Sequence, residues 1–121
     1  MKKTLQKYEV ATVQYEPSQF NKEHNVSSLL LLCEKAAKKG AKLIVTPEMG
    51  TTGYCFLHRE EISSLVETIP GPTTKKFQSI AKKFNCFIIV GMPEIDDETQ
   101  LYYNSAVLIG PDGLIGKHRK S

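Results

Sequence analysis

Between Tyr8 and Tyr15 the chain reads YEVATVQY, where apolar and polar positions alternate as they do in a half-buried strand. The period then lengthens. Val26, Leu29, Leu30, Cys33, Ala36 and Ala37 recur at helical spacing. They predict a helix capped by Asn21, with Glu23 in the first turn, where a negative charge suits the dipole. Lys38 and Lys39 fall in its last turn, and Gly40 is placed to end it. Ala41–Thr46 follows as a short second strand, read as covered on both faces. Residues 47–59 read as a loop and Arg59–Glu67 as a short helix. Pro70-Gly71-Pro72 turns the chain. Thr73 is the expected cap of a further helix whose Phe77, Ile80, Ala81 and Phe84 share one face. Cys86–Val90 (CFIIV) is a third strand continuing through Gly91 towards Glu94, and Leu101–Ile109 (LYYNSAVLI) a fourth. Gly110-Pro111-Asp112-Gly113 has the residues of a tight turn, so Leu114–Lys120 should pair antiparallel with the fourth strand.

Strand, helix, strand, helix, strand and hairpin in that order predict an α/β fold. The early alternation gives parallel pairing and the hairpin adds antiparallel strands, so the sheet is mixed. No helix follows Leu114–Lys120 to cover that end of the sheet. The 121 residues therefore read as a single, incomplete domain over 1–121, either cut or a short version of something longer. A sheet with one uncovered apolar face should be marginal alone and prone to association.

Composition narrows the classes. Apolar residues make up 40% and charged residues 24%, as in ordinary globular chains. No apolar run approaches the roughly 20 residues of a membrane-spanning helix. MKKTLQKYEV has no apolar core of a secretory signal, so a cytoplasmic protein is expected. The net charge of +3 comes largely from lysine pairs at 2–3, 38–39, 75–76 and 82–83. They are spread along the chain, which argues for solvated helix faces rather than a nucleic-acid footprint. Cys33, Cys55 and Cys86 are an odd number without metal-ligand spacing, and His24, His58 and His118 share none either. No metal site is expected.

The candidate chemistry sits in LIVTPEMGTTGY, residues 43–54. Ligands of open α/β sheets bind beyond the carboxyl ends of strands, and Glu48 lies just past such an end. Pro47 ends the strand and fixes where Glu48 points. A glutamate mounted there in a partly apolar pocket would have its pKa raised and could act as a general base. The alternative is a solvated acid in a turn. Gly50 and Gly53 permit unusual backbone or close approach of a ligand, and Tyr54 and Phe56 could form a wall. Lys120 is either a stabiliser of a developing oxyanion or an edge-strand lysine that deters aggregation. Cys33 and Cys86 read as core. Cys55 is either a pocket-wall residue or a nucleophile beside Glu48.

Three stretches together resemble the nitrilase superfamily, the carbon–nitrogen hydrolases. They are VATVQYEPSQFNKEHNVSSLLLLCEKAAKKGAKLIVTPEMGTTGY, IPGPTTKKFQSIAKKFNCFIIVGMPE and YYNSAVLIGPDGLIGKHRK. The resemblance implies the N-terminal part of an α-β-β-α sandwich, here a mixed sheet with helices on one face, and assembly as a homodimer or higher oligomer. It implies hydrolysis of a small-molecule amide, carbamoyl compound or nitrile by a Glu-Lys-Cys mechanism without cofactor. Glu48 matches the family's general base and Lys120 its catalytic lysine. The family's nucleophilic cysteine lies well beyond that lysine, and none of Cys33, Cys55 or Cys86 falls there, so the 121 residues alone are expected to be inactive. The rival reading is a non-enzymatic α/β binding or interaction domain that keeps the scaffold without the chemistry.

Overall fold

The computed structural model describes residues 5–54 and 56–121. Five strands, β1 (Glu9–Thr12), β2 (Ala41–Val45), β3 (Phe87–Ile95), β4 (Tyr102–Gly110) and β5 (Gly113–Arg119), lie in that order across one sheet. β1, β2 and β3 run parallel, and β3, β4 and β5 antiparallel. The helices α1 (Lys22–Lys38) and α2 (Pro72–Phe84) connect the parallel strands, and both pack on the same face. The expected α/β mixed sheet with its helices on one face is what forms.

The core lies between the helices and that face. Val26, Leu29, Cys33 and Ala37 come from α1, and Phe77 and Ala81 from α2. They meet Ile44, Ile88, Val90, Met92, Val107 and Ile109, which alternate along the strands and are all nearly or fully buried. Burying side chains of this size stabilises by about 2 kcal/mol each. Asn21 caps α1 as expected, accepting from the His24 N–H at 3.3 Å, and Gly40 takes a φ of 98° just beyond the helix.

Three expectations need correction. β2 is not covered on both faces: Leu43 and Val45 are only partly buried. Their side of the sheet has no helix, and Val10 (66% exposed) and Phe87 (41%) share it. Arg59–Glu67 is not a helix. Only a single 3-10 turn forms, Arg59–Glu61, because Glu67 pairs with β3 instead, its carbonyl accepting from Ile95 N–H at 2.9 Å. Thr73 does not cap α2. Gly71 is the cap residue and Pro72, which has no N–H to satisfy, is the first helical residue. The acceptor that a glycine cannot supply is Glu67, whose carboxylate takes the Thr73 N–H at 2.9 Å and bonds the Thr73 hydroxyl.

Candidate functional site

β2 hands the chain to a tightly held turn. Thr46 donates its N–H to the Ile89 carbonyl at 3.0 Å, and its hydroxyl donates to the same carbonyl and accepts from the Gly91 N–H. Residues 47–49 then cross over β3 at Gly91. A Cβ at Gly91 would lie 2.8 Å from Met49 N and 2.9 Å from Glu48 Cα, so only glycine lets this backbone lie on the sheet. The turn closes with the Gly53 N–H on the Met49 carbonyl at 2.8 Å, helped by a φ of 80° at Gly53. Met49, Thr51 and Thr52 are buried. The fully buried Asn25 of α1 donates to the Thr51 carbonyl at 3.1 Å and accepts from Tyr15 Oη at 2.8 Å. Glu48 is thus mounted on a fixed turn above the face that carries no helices.

The same face receives two donors from the hairpin. Pro93, Asn104 and Lys120 stand side by side across β3, β4 and the residue after β5, with the Lys120 N–H on the Asn104 carbonyl at 2.8 Å. Lys120 Nζ and Asn104 Nδ2 both donate to Glu48 Oε1 at 2.9 Å, and the Tyr54 hydroxyl donates to Oε2. The structure therefore brings together Glu48, Lys120 and Tyr54, and adds Asn104. The site is open: the Glu48 side chain is 44% exposed and that of Lys120 61%.

The Glu48 carboxyl is not pushed up as a partly apolar pocket would push it. The hydrogen bond from Lys120 holds it below its ordinary value, aided by Asn104 and the lysine's charge and opposed by partial desolvation. Converging donors outweigh the burial this turn provides. The carboxylate is therefore ionised near neutral pH, as a proton acceptor must be.

Tyr54 and Phe56 do not share a wall. Tyr54 lines a hollow of about 480 Å³ with Glu48, Tyr15, Pro17 and Gly53. Phe56 lines another of about 380 Å³ with Met49, Ile62, Pro93 and Tyr102, which touches the site only through Asn104. Cys55 lies outside the described residues. Cys33 and Cys86 are free thiols, fully buried on the helix side, and burial raises both pKa values, that of Cys33 to about 12. Neither can meet Glu48. Among the described residues no group of His, Cys, Asp and Glu could hold a metal ion, and no helix is long and apolar enough to cross a membrane.

Beneath the site, on the helix face, lies a second carboxylate cluster. Glu94, 1% exposed, accepts from Ser105 Oγ at 2.7 Å, from Arg119 Nε and Nη2 at 3.0 Å each, and from Lys117. Burial alone would raise its pKa, but Arg119, Lys117 and Ser105 together hold it at about 2. Asn104, Gly91, Asn25 and Glu94 were not foreseen from the sequence. A polar Asn-Ser pair inside the apolar fourth strand was the only visible sign, and strand alternation sends its two members to opposite faces.

Comparison with known proteins follows the same lines. The family described as carbon–nitrogen hydrolase matches residues 9–121. A protein named nitrilase from Pyrococcus abyssi is 41% identical over 112 residues, covering 92% of this chain and 42% of that protein. The protein N-terminal amidase of Saccharomyces cerevisiae is 33% identical over 125 residues, covering 98% of this chain and 27% of that one. A crystal structure of an N-terminal amidase superposes with a TM-score of 0.79 at 33% identity, over 91% of this chain and 27% of the other. The chain spans less than half the length of these relatives.

Proposed function

The chain belongs to the carbon–nitrogen hydrolase family, and from that premise we propose that it supplies the base and the lysine for hydrolysis of a small-molecule amide or N-carbamoyl bond, with nitriles the less favoured substrate. In this reading Glu48 takes the proton of a thiol. The thiolate attacks the carbonyl carbon, and Lys120 stabilises the oxyanion of the tetrahedral intermediate. The amine leaves with a proton returned by Glu48, and water attacks the resulting thioester to release the acid. The observation that carries the reading is the 2.9 Å contact of Lys120 Nζ with a Glu48 carboxylate left open to solvent.

The thiol comes from outside the described residues, since Cys33 and Cys86 are sealed in the core. The face bearing Val10, Phe87 and the partly buried Leu43 and Val45 is where the second layer of the sandwich, and through it a homo-oligomer, would assemble. Free thiols of this kind suit a reducing, cytoplasmic setting.

A hybrid tests the proposal: residues 9–121 replace the matched part of the Pyrococcus abyssi relative, and ammonia release is assayed over a panel of amides, carbamoyl compounds and nitriles. Activity on at least one amide or carbamoyl compound is expected, falling by about 10²–10⁴-fold with Glu48→Gln. A folded hybrid that stays fully active after that substitution would contradict the proposal.

A further inference from the structure

Lys120 has little of its own to hold it. It lies one residue beyond β5, its backbone joined to the sheet by a single N–H, and its side chain is 61% exposed. Apolar packing does little for β5, since Leu114 and Ile115 are 39% and 58% exposed. The tight turn does not fix the register of the strand either. The β4–β5 pairing shifts between Leu108 and Ile109, where Leu108 faces Gly116 but Ile109 faces Leu114, leaving Ile115 as an extra residue. A slip of one residue in a strand moves every side chain to the other face. It would carry Lys120 to the helix side of the sheet, away from Glu48.

What resists the slip is on the helix face. Arg119 directly precedes Lys120 and so points the opposite way. There its guanidinium grips Glu94 with two 3.0 Å hydrogen bonds, reaches Asp96 at 3.3 Å and lies 4.1 Å over the Tyr103 ring. Lys117, two residues earlier on the same face, bonds the same carboxylate. We propose that Glu94, acting through Arg119 and Lys117, is a positioning residue that pins the register of β5 and thereby aims Lys120 at Glu48. The role rests on the reading of Lys120 given above. It differs from support of the fold at large, because it predicts an effect on the electrostatics of a carboxylate on the opposite side of the sheet.

The test is the titration of the Glu48 side-chain carboxyl, followed by carbon-detected NMR in the 121-residue chain. Glu48 is assigned separately from Glu16, which lines the same hollow. Lys120→Met sets the reference, since it removes the ammonium that lowers the Glu48 pKa. Glu94→Gln is expected to raise that pKa by at least half the reference shift. Arg119→Lys keeps the charge but loses the two-pronged grip, and should give a smaller rise in the same direction. It also covers the case in which Glu94→Gln does not fold. Folded Glu94→Gln or Arg119→Lys protein whose Glu48 titrates as in the unaltered chain, while Lys120→Met moves it, overturns the positioning role and leaves the hydrolase reading standing. If Lys120→Met itself moves nothing, the Glu48–Lys120 pair does not exist in solution and both readings fall.

Discussion

Two glutamates at one end of the sheet have much the same company and opposite surroundings. Glu94 and Glu48 each meet a lysine, and each accepts from further neutral or charged donors. Glu94 lies under the helix layer with 1% exposure and spends its carboxylate on Ser105, Lys117 and Arg119. Glu48 lies over the bare face, with a side chain 44% exposed and a lysine more exposed still. Low dielectric and multiple partners make the first an element of structure, costly to disturb. Solvent contact makes the second inexpensive to disturb thermodynamically and available to a substrate. The ionised state of a carboxylate thus says little about its use; what surrounds it decides.

The sharpest way to break the comparison is to neutralise each acid in turn. Glu94→Gln leaves Lys117 and Arg119 facing a neutral amide and should cost about 3 kcal/mol, the low end for a broken buried pair because both cations keep some access to water. Glu48→Gln should cost far less, because water already screens its pair with Lys120. Urea denaturation of the two variants checks this, and equal losses would erase the distinction.

Gly91→Ala probes the contact that holds the Glu48 turn against β3. Its Cβ would collide with backbone rather than with a movable side chain, so a loss of about 1–3 kcal/mol is expected together with displacement of Glu48. The amide resonances of residues 47–53 should shift, whereas those of α2 should not.

Acid separates the clusters by degree. The Glu94 pKa falls from an ordinary 4.5 to about 2 on folding, so its contribution to stability is complete above about pH 4.5 and is lost as pH falls through about 2. Glu67 and Glu48 shift in the same direction and add to the decline. Stability measured from pH 5 to pH 2 should therefore drop, and drop less steeply in Glu94→Gln.

Much of the frame was legible in the chain. The 3.6-residue spacing of Val26, Leu29 and Cys33 and the alternation in LYYNSAVLI are local signals that tertiary packing reinforces. Glu67 shows where helical propensity fails: its backbone pairs with β3 at Glu94, a long-range demand, and its carboxylate serves the start of α2 six residues on, and together these override helix formation in residues 59–67. At the site, the Pro47–Glu48 step after an apolar strand and the lysine at the hairpin's end could be picked out as residue types. Asn104 and Gly91 could not, because their roles follow from strand register and from which backbone crosses which strand. The direction of the Glu48 pKa was misread for the same reason: its donors arrive from 56 and 72 residues away.

The central claim is that Lys120 and Glu48 form a direct pair on the open face of the sheet. The most direct measurement is the midpoint of the Glu48 carboxyl titration in the unaltered chain and in Lys120→Met. The account predicts a midpoint below the ordinary glutamate value that climbs when the ammonium is removed. A Glu48 that titrates at its ordinary value and ignores the loss of Lys120 would contradict it.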